Sequence, residues 1–203
     1  MKNAAVFLDR DGVIIKDVPD IHRIEDIEVF SFSAEGIKIL NRLGFLVIVV
    51  TNQPQVAKGL CTEDTVKAMN RKITEQLHAQ GAKIDAVYYC PHHPDKGFSG
   101  ENPEYKIDCA CRKPKIGMIE NAAGRFGIDL SRSFIIGDTM RDIKTGENVA
   151  MRYQNFRSVL VRSGANDDDD RFSAKPDFTA DNLLDAARLI GKIVTKENKD
   201  AEG

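Results

Sequence analysis

Short apolar runs alternate along this chain with stretches of helical spacing. Ala4–Leu8, Leu46–Thr51, Ala86–Tyr89, Phe134–Gly137 and Ser158–Val161 are apolar runs of strand length. Runs of this kind, bounded by turn residues and lacking polar alternation, predict strands buried on both faces of a parallel sheet. Between the first two, Ile37, Leu40 and Leu43 recur at helical spacing, with Ser33 placed to cap the start and Gly44 marking the end. Val66, Met69, Ile73 and Leu77 form the stripe of a second helix, opened by Thr62-Glu63-Asp64 and stopped by Gly81. A third is predicted over Gly117–Phe126, with Ile119, Ala122, Ala123 and Phe126 inward and Gly127 past its end. Asp142–Val149 and Leu183–Ile193 complete the set, and the polar end after Thr195 is expected to fray. The alternation predicts an α/β fold, a parallel sheet covered by helices.

Two connections break the rhythm: Ile14–Ser33, and a second running from Cys90 to Lys115. Loops of this length in a compact domain are functional or disordered. The first of them directly follows Asp9-Arg10-Asp11-Gly12 at the end of the first predicted strand. Side chains alternate along a strand, so Asp9 and Asp11 are expected on the same side of its tip, where α/β sheets bind ligands. Two converging acids suit cation binding, nucleophilic attack or proton transfer. A strand followed by a polar turn is the plainer alternative.

The 203 residues carry 29 Lys and Arg against 31 Asp and Glu, so no global field points to nucleic acid or an anionic membrane. The longest apolar stretch, Phe45–Val50, is too short to span a bilayer, and no signal-peptide apolar region precedes Asp9. A cytoplasmic location is therefore expected, with no membrane or nucleic-acid partner and a monomer as the default. Asp167–Asp170 reads as a solvated loop rather than a cation site. The absence of a Gly-x-x-x-x-Gly-Lys-Ser/Thr loop argues against a kinase.

Three of the four cysteines fall in the second long connection, as Cys90-Pro91-His92 and Cys109-Ala110-Cys111. Three thiolates and an imidazole make a closed tetrahedral set, which predicts a structural zinc site on Cys90, His92, Cys109 and Cys111. Buried cysteines at a strand end are the competing reading. His93 is expected to point elsewhere, and Cys61 to be a packing residue.

Further polar groups sit at the other strand ends. Thr51-Asn52-Gln53 offers a hydroxyl and amides for phosphoryl oxygens, Arg112-Lys113 offers cations, and Asp138 and Asp142 add carboxylates. Acids for a hard cation, with a hydroxyl and a lysine for phosphate, are the components of phosphoryl transfer.

With these motifs the chain resembles the haloacid dehalogenase superfamily phosphatases. Within them it is similar to the D-glycero-D-manno-heptose 1,7-bisphosphate phosphatases and the related histidinol-phosphate phosphatase domains. The similarity spans about Ala5–Ala150 and includes Cys-Pro-His-His-Pro…Cys-x-Cys-Arg-Lys-Pro. It implies one Rossmann-like domain over residues 1–195, with a zinc loop at 90–115 in place of a separate cap domain, and a disordered tail at 196–203. It implies Asp9 as the nucleophile that forms an aspartyl-phosphate and Asp11 as acid and base. Magnesium would be held by Asp9, the Asp11 main-chain carbonyl and Asp138. Thr51 and Lys113 would bind phosphoryl oxygens, Asn52 and Arg112 would contact substrate, and Asp142 would orient Lys113 or a metal-bound water.

The implied substrate is a small phosphorylated metabolite, a heptose bisphosphate converted to its 1-phosphate. Histidinol phosphate is the alternative, followed by a nucleic-acid 3′-phosphate or an inactive zinc-stabilised binding protein. Three departures from the family pattern bear on specificity: Val13 where Thr is commonest, Pro54-Gln55-Val56-Ala57-Lys58-Gly59 for Ser-Gly-Ile-Ala-Arg-Gly, and Thr139 where Lys is frequent.

Overall fold

The computed structural model describes residues 3–164 and 172–202; the Asp167–Asp170 run lies outside the described residues. Six parallel strands form one sheet: β1 (Ala5–Leu8), β2 (Leu46–Asn52), β3 (Ala86–Cys90), β4 (Phe134–Gly137), β5 (Arg157–Val161) and β6 (Phe178–Ala180). The spatial order is β3-β2-β1-β4-β5-β6. The helices are α1 (Ser33–Arg42), α2 (Glu63–Ala79), α3 (Gly117–Phe126), α4 (Met140–Tyr153) and α5 (Leu183–Glu202).

Alternate residues of the buried strands serve opposite faces, which explains why they read as continuous apolar runs. Val6, Leu8, Val47 and Val49 pack with Leu40, Met69, Leu77 and Ile190 of α1, α2 and α5. Ala5, Phe7, Ile48 and Val50 pack with Met118, Ile119, Ala122 and Val149 of α3 and α4. The chain builds outward from β1 through β2 to β3, then returns to place β4 on the other side of β1. That reversal opens a crevice at the carboxyl ends of β1 and β4, the place where such sheets bind ligands.

The excursion at Ile14–Ser33 is no separate cap. Ile14, Ile15, Ile21 and Ile27 are buried in the core that also holds α1 and α2. Ser33 does not cap α1 as expected. Phe32 is the N-cap, without a side-chain bond, and the buried Ser33 hydroxyl donates to the Ile14 carbonyl at 2.8 Å. A hydroxyl sealed from water takes whatever acceptor is in reach, and here the excursion supplies it. The cap expected at Thr62 is present, its side chain accepting from Thr65 N.

Two further differences lie toward the C-terminus. Residues 196–202, expected as a disordered tail, continue α5. Glu197 pairs with Arg157 of β5 at 2.5 Å, which ties this end of the helix to the sheet. β6 is three residues long and only partly buried, too short to leave a periodic signal. It is held beside β5 partly by Asp177, whose Oδ2 accepts from Ser158 N at 2.7 Å and Ser158 Oγ at 2.9 Å. Asp177→Ala strands both Ser158 donors and should lower stability by about 1–3 kcal/mol. Urea unfolding followed by circular dichroism measures this directly.

Candidate active site

Asp9 follows β1, Thr51 lies near the end of β2, and Asp138 follows β4. Asp142 stands in the first turn of α4, and Lys113 enters from the long connection after β3. The fold brings Asp9, Asp138 and Asp142 together with carboxylate oxygens within 4.8 Å of one another. Lys113 Nζ reaches between two of them, 2.8 Å from Asp9 Oδ2 and 2.5 Å from Asp142 Oδ1. Gly12 turns the chain away with φ +73°, and a Cβ there would lie 2.1 Å from Asp138 Oδ2.

Three carboxylates, two of them buried, around one ammonium leave excess negative charge. Burial pushes the Asp9 carboxyl up to about 6; Lys113 pulls the other way, while Asp142 and Asp11 add to the rise. Asp138 is pushed up to about 9, by burial first and then by Asp9 and Asp142. Burial works against the Lys113 charge, but Asp142 and Asp9 outweigh it and hold the ammonium above its usual range. Among the described residues the buried Asp138 Oδ1 has no hydrogen-bond partner. Hard oxygen donors, surplus negative charge and a bare buried oxygen fit a small divalent cation.

Other expected site residues divide into two groups. The Thr51 hydroxyl is at the site, accepting from Gln53 Nε2 at 2.9 Å. Arg112 lines a cavity of about 230 Å³ beside Lys113, together with His93, Pro94, Arg141 and Phe172. Its Nη1 donates to the His92 carbonyl at 3.1 Å. Asn52 is committed elsewhere. Its Nδ2 donates to the Lys113 carbonyl at 3.1 Å and its Oδ1 accepts from Lys113 N at 3.0 Å. A side-chain amide closed onto both backbone groups of one residue in this way positions Lys113. Thr139 likewise has a local task, its Oγ1 donating to Asp142 Oδ2 at 2.7 Å.

Sequence reasoning passed over Arg10 and Asn70. Arg10 Nη2 meets Asp11 Oδ1 at 3.0 Å, and Nη1 donates to Asn70 Oδ1 at 3.0 Å. The available signals were an arginine between two acids and a polar residue inside the apolar stripe of α2.

The long connection is organised by its cysteines. Cys90 Sγ lies 3.5 Å from Cys109 Sγ and 3.1 Å from Cys111 Sγ, which is 3.2 Å from Cys109 Sγ. His92 Nδ1 sits 3.6 Å from Cys90 Sγ and 3.4 Å from Cys111 Sγ. His93 faces away, its Nδ1 accepting from Asp95 N. Contact with Cys90 draws the Cys111 thiol down to about 5 against the effect of burial, with Cys109 and His92 helping. A compact set of three sulfurs and one imidazole nitrogen, one thiol already acidic, can hold a soft or borderline divalent metal. Tyr105 OH of the loop and Tyr89 OH of β3 both bond Glu63, so the loop and the strand share an anchor at the start of α2.

Acids at the carboxyl ends of β1 and β4, facing a lysine across the sheet reversal, define a phosphoryl-transfer hydrolase of the α/β class. A HAD-hydrolase-like family profile matches residues 110–186. The chain is 39% identical over 163 residues to D-glycero-alpha-D-manno-heptose-1,7-bisphosphate 7-phosphatase of Photorhabdus laumondii, covering 80% of this chain and 85% of that protein. It is 32% identical over 201 residues to D-glycero-beta-D-manno-heptose-1,7-bisphosphate 7-phosphatase of Haemophilus influenzae, covering 94% and 98%. The crystal structure of D,D-heptose 1,7-bisphosphate phosphatase from B. bronchiseptica, complexed with magnesium and phosphate, superposes with TM-score 0.77 at 27% identity, covering 93% of this chain and 98% of that one. The chain belongs to the HAD-like hydrolases and, among them, to the family of these heptose bisphosphate phosphatases.

The charge imbalance has a measurable consequence. An Asp138 raised to about 9 keeps its proton in the fold, whereas the unfolded carboxyl ionises near 3.8. Between these values the native state binds the extra proton, so this group's contribution to stability falls as pH rises. Thermal unfolding without divalent cation should therefore show a lower Tm at pH 8 than at pH 6, and magnesium should reverse the trend. Asp138→Asn should raise the cation-free Tm at pH 8 and abolish the magnesium response.

Proposed function

We propose that this protein hydrolyses D-glycero-D-manno-heptose 1,7-bisphosphate at C7, releasing the 1-phosphate and inorganic phosphate. The observation that carries this reading is the Lys113 ammonium between Asp9 and Asp142, beside the unpartnered buried oxygen of Asp138. The substrate follows from the relatives, whose names specify heptose 1,7-bisphosphates in both anomers and not histidinol phosphate.

Asp9 is the nucleophile: a carboxylate oxygen attacks the C7 phosphorus as the bond to the C7 oxygen breaks, leaving an aspartyl-phosphate. Asp11 gives its proton to the departing oxygen. Water then attacks phosphorus, gives a proton back to Asp11, and Asp9 is released. Lys113 and the Thr51 hydroxyl hold phosphoryl oxygens, and Lys113 offsets repulsion between Asp9 and the incoming anion. Asn52 keeps Lys113 in register through its backbone, and Asp142 orients the ammonium. Arg112 contacts the substrate from the side cavity. Magnesium, held by Asp9, Asp138 and the main-chain carbonyl of Asp11, would neutralise charge on the transferring group.

Phosphate release with magnesium should be robust on one or both heptose anomers and weak on histidinol phosphate, with Asp9→Asn at the uncatalysed background. Equal rates for wild type and Asp9→Asn would overturn the reading.

Cys90, His92, Cys109 and Cys111 are proposed to hold a structural zinc. Support comes from the soft donor set and its mutual approach, which leaves no position open for chemistry. The cluster ends at Cys111, so the metal also sets where Arg112 and Lys113 begin. Elemental analysis should find about one zinc per chain. Cys109→Ser should lose the metal and raise KM along with its loss of stability. Zinc-free protein prepared without chelator, at wild-type stability, would refute the assignment.

A further inference from the structure

Arg10 is a buried cation to which the reaction above gives no task. Its side chain runs beneath the strand ends and is 1% exposed. Sealing a guanidinium from water costs several kcal/mol, and an apolar side chain of similar volume would serve packing alone as well. Here the hydrogen bonds are unusually complete. Nε and Nη2 both donate to Asp11 Oδ1, at 3.3 and 3.0 Å. Nη2 also donates to Gln53 Oε1 at 2.6 Å, and Nη1 donates to Asn70 Oδ1 at 3.0 Å. Gln53 returns to the same carboxyl, its Nε2 donating to Asp11 Oδ2 at 2.8 Å.

Counting lone pairs on Asp11 assigns its two oxygens different tasks. Oδ1 accepts two N–H groups from Arg10, which occupies both of its lone pairs. Oδ2 accepts one N–H from Gln53 and keeps one pair open. A proton on Asp11 therefore belongs on Oδ2. Asn70, fixed in α2, holds the far side of the guanidinium and keeps the fork from swinging.

We propose that Arg10 is a positioning residue for proton transfer: braced by Asn70 and Gln53, it locks the Asp11 carboxyl so that Oδ2 alone carries the exchangeable proton. The inference rests on Asp11 being the acid and base of the reaction proposed above. In the first half-reaction the Oδ2 proton goes to the C7 oxygen as its bond to phosphorus breaks. In the second, a proton of the attacking water returns to Oδ2 as the bond between Asp9 and phosphorus breaks.

The test exploits leaving-group chemistry. An alkoxide leaves with difficulty unless it is protonated, whereas 4-nitrophenolate leaves as the anion. Rapid-quench measurement of phosphoenzyme formation from heptose 1,7-bisphosphate and from 4-nitrophenyl phosphate separates the two. Arg10→Met should slow transfer from the heptose bisphosphate by about 10²-fold, the lower end of what general acid catalysis supplies. Transfer from the aryl phosphate should fall far less. Asn70→Ala, which removes only the brace, should show the same selectivity at smaller size, and it decides the matter if Arg10→Met does not fold. Equal losses on both substrates in the folded variants would mean a purely structural Arg10 and overturn the proposal. Asp11→Asn, measured alongside, tells the two readings apart. If it also fails to discriminate, the assignment of Asp11 falls; if it discriminates while the Arg10 and Asn70 variants do not, the role of Arg10 falls alone.

Discussion

The Lys113 ammonium, wedged between the carboxylates of Asp9 and Asp142, is the interaction on which the rest of the site depends. The carboxyl ends of β1 and β4 must bring acids together if phosphate is to meet a nucleophile and a cation. Acids brought together in a dry crevice repel one another and lose their charge. Lys113 limits that loss for Asp9, held at about 6, while the more deeply buried Asp138 rises to about 9. The site is thus only partly neutralised by the chain itself, and the surplus charge is what a divalent cation would satisfy.

Lys113 does not belong to the sheet, so the crevice relies on a loop for the cation between Asp9 and Asp142. Three constraints deliver that side chain. The cysteine and histidine cluster ends at Cys111, two residues upstream. Asn52, at the end of β2, clasps the Lys113 backbone from both sides. Tyr105 anchors the loop to Glu63 at the start of α2, which Tyr89 of β3 also bonds. Cluster, backbone and side-chain restraints converge on one segment, and a displaced lysine would leave Asp9 and Asp142 facing each other uncompensated. The same loop carries Arg112 into the side cavity, so the cavity lining and the ammonium beside Asp9 share one support.

Much of this was legible from residue spacing. The β1 to β5 strands read directly from apolar runs, because a parallel strand buried on both faces needs no alternation. The helices read from their stripes and end signals, as at Gly127, the left-handed C-cap of α3. Cys-x-His and Cys-x-Cys pointed to a cluster, and the fold does bring Cys90, His92, Cys109 and Cys111 together. β6 was illegible: three residues hold no period, and part of its anchor is Asp177 bonding to a serine 19 positions away.

The same divide runs through the site. Which residue types could perform phosphoryl transfer, and which strand tips would carry them, follow from local chemistry and the alternation of elements. Which partner each polar group takes does not. Asn52 looked like a substrate contact and bonds the Lys113 backbone; Ser33 looked like a cap and bonds Ile14; Arg10, passed over in the sequence, reaches Asn70. Each of these choices is made by groups remote in sequence or hidden by packing. A polar group sealed from water must bond whatever the fold brings within 3 Å or so, and the chain order alone carries no record of that neighbour.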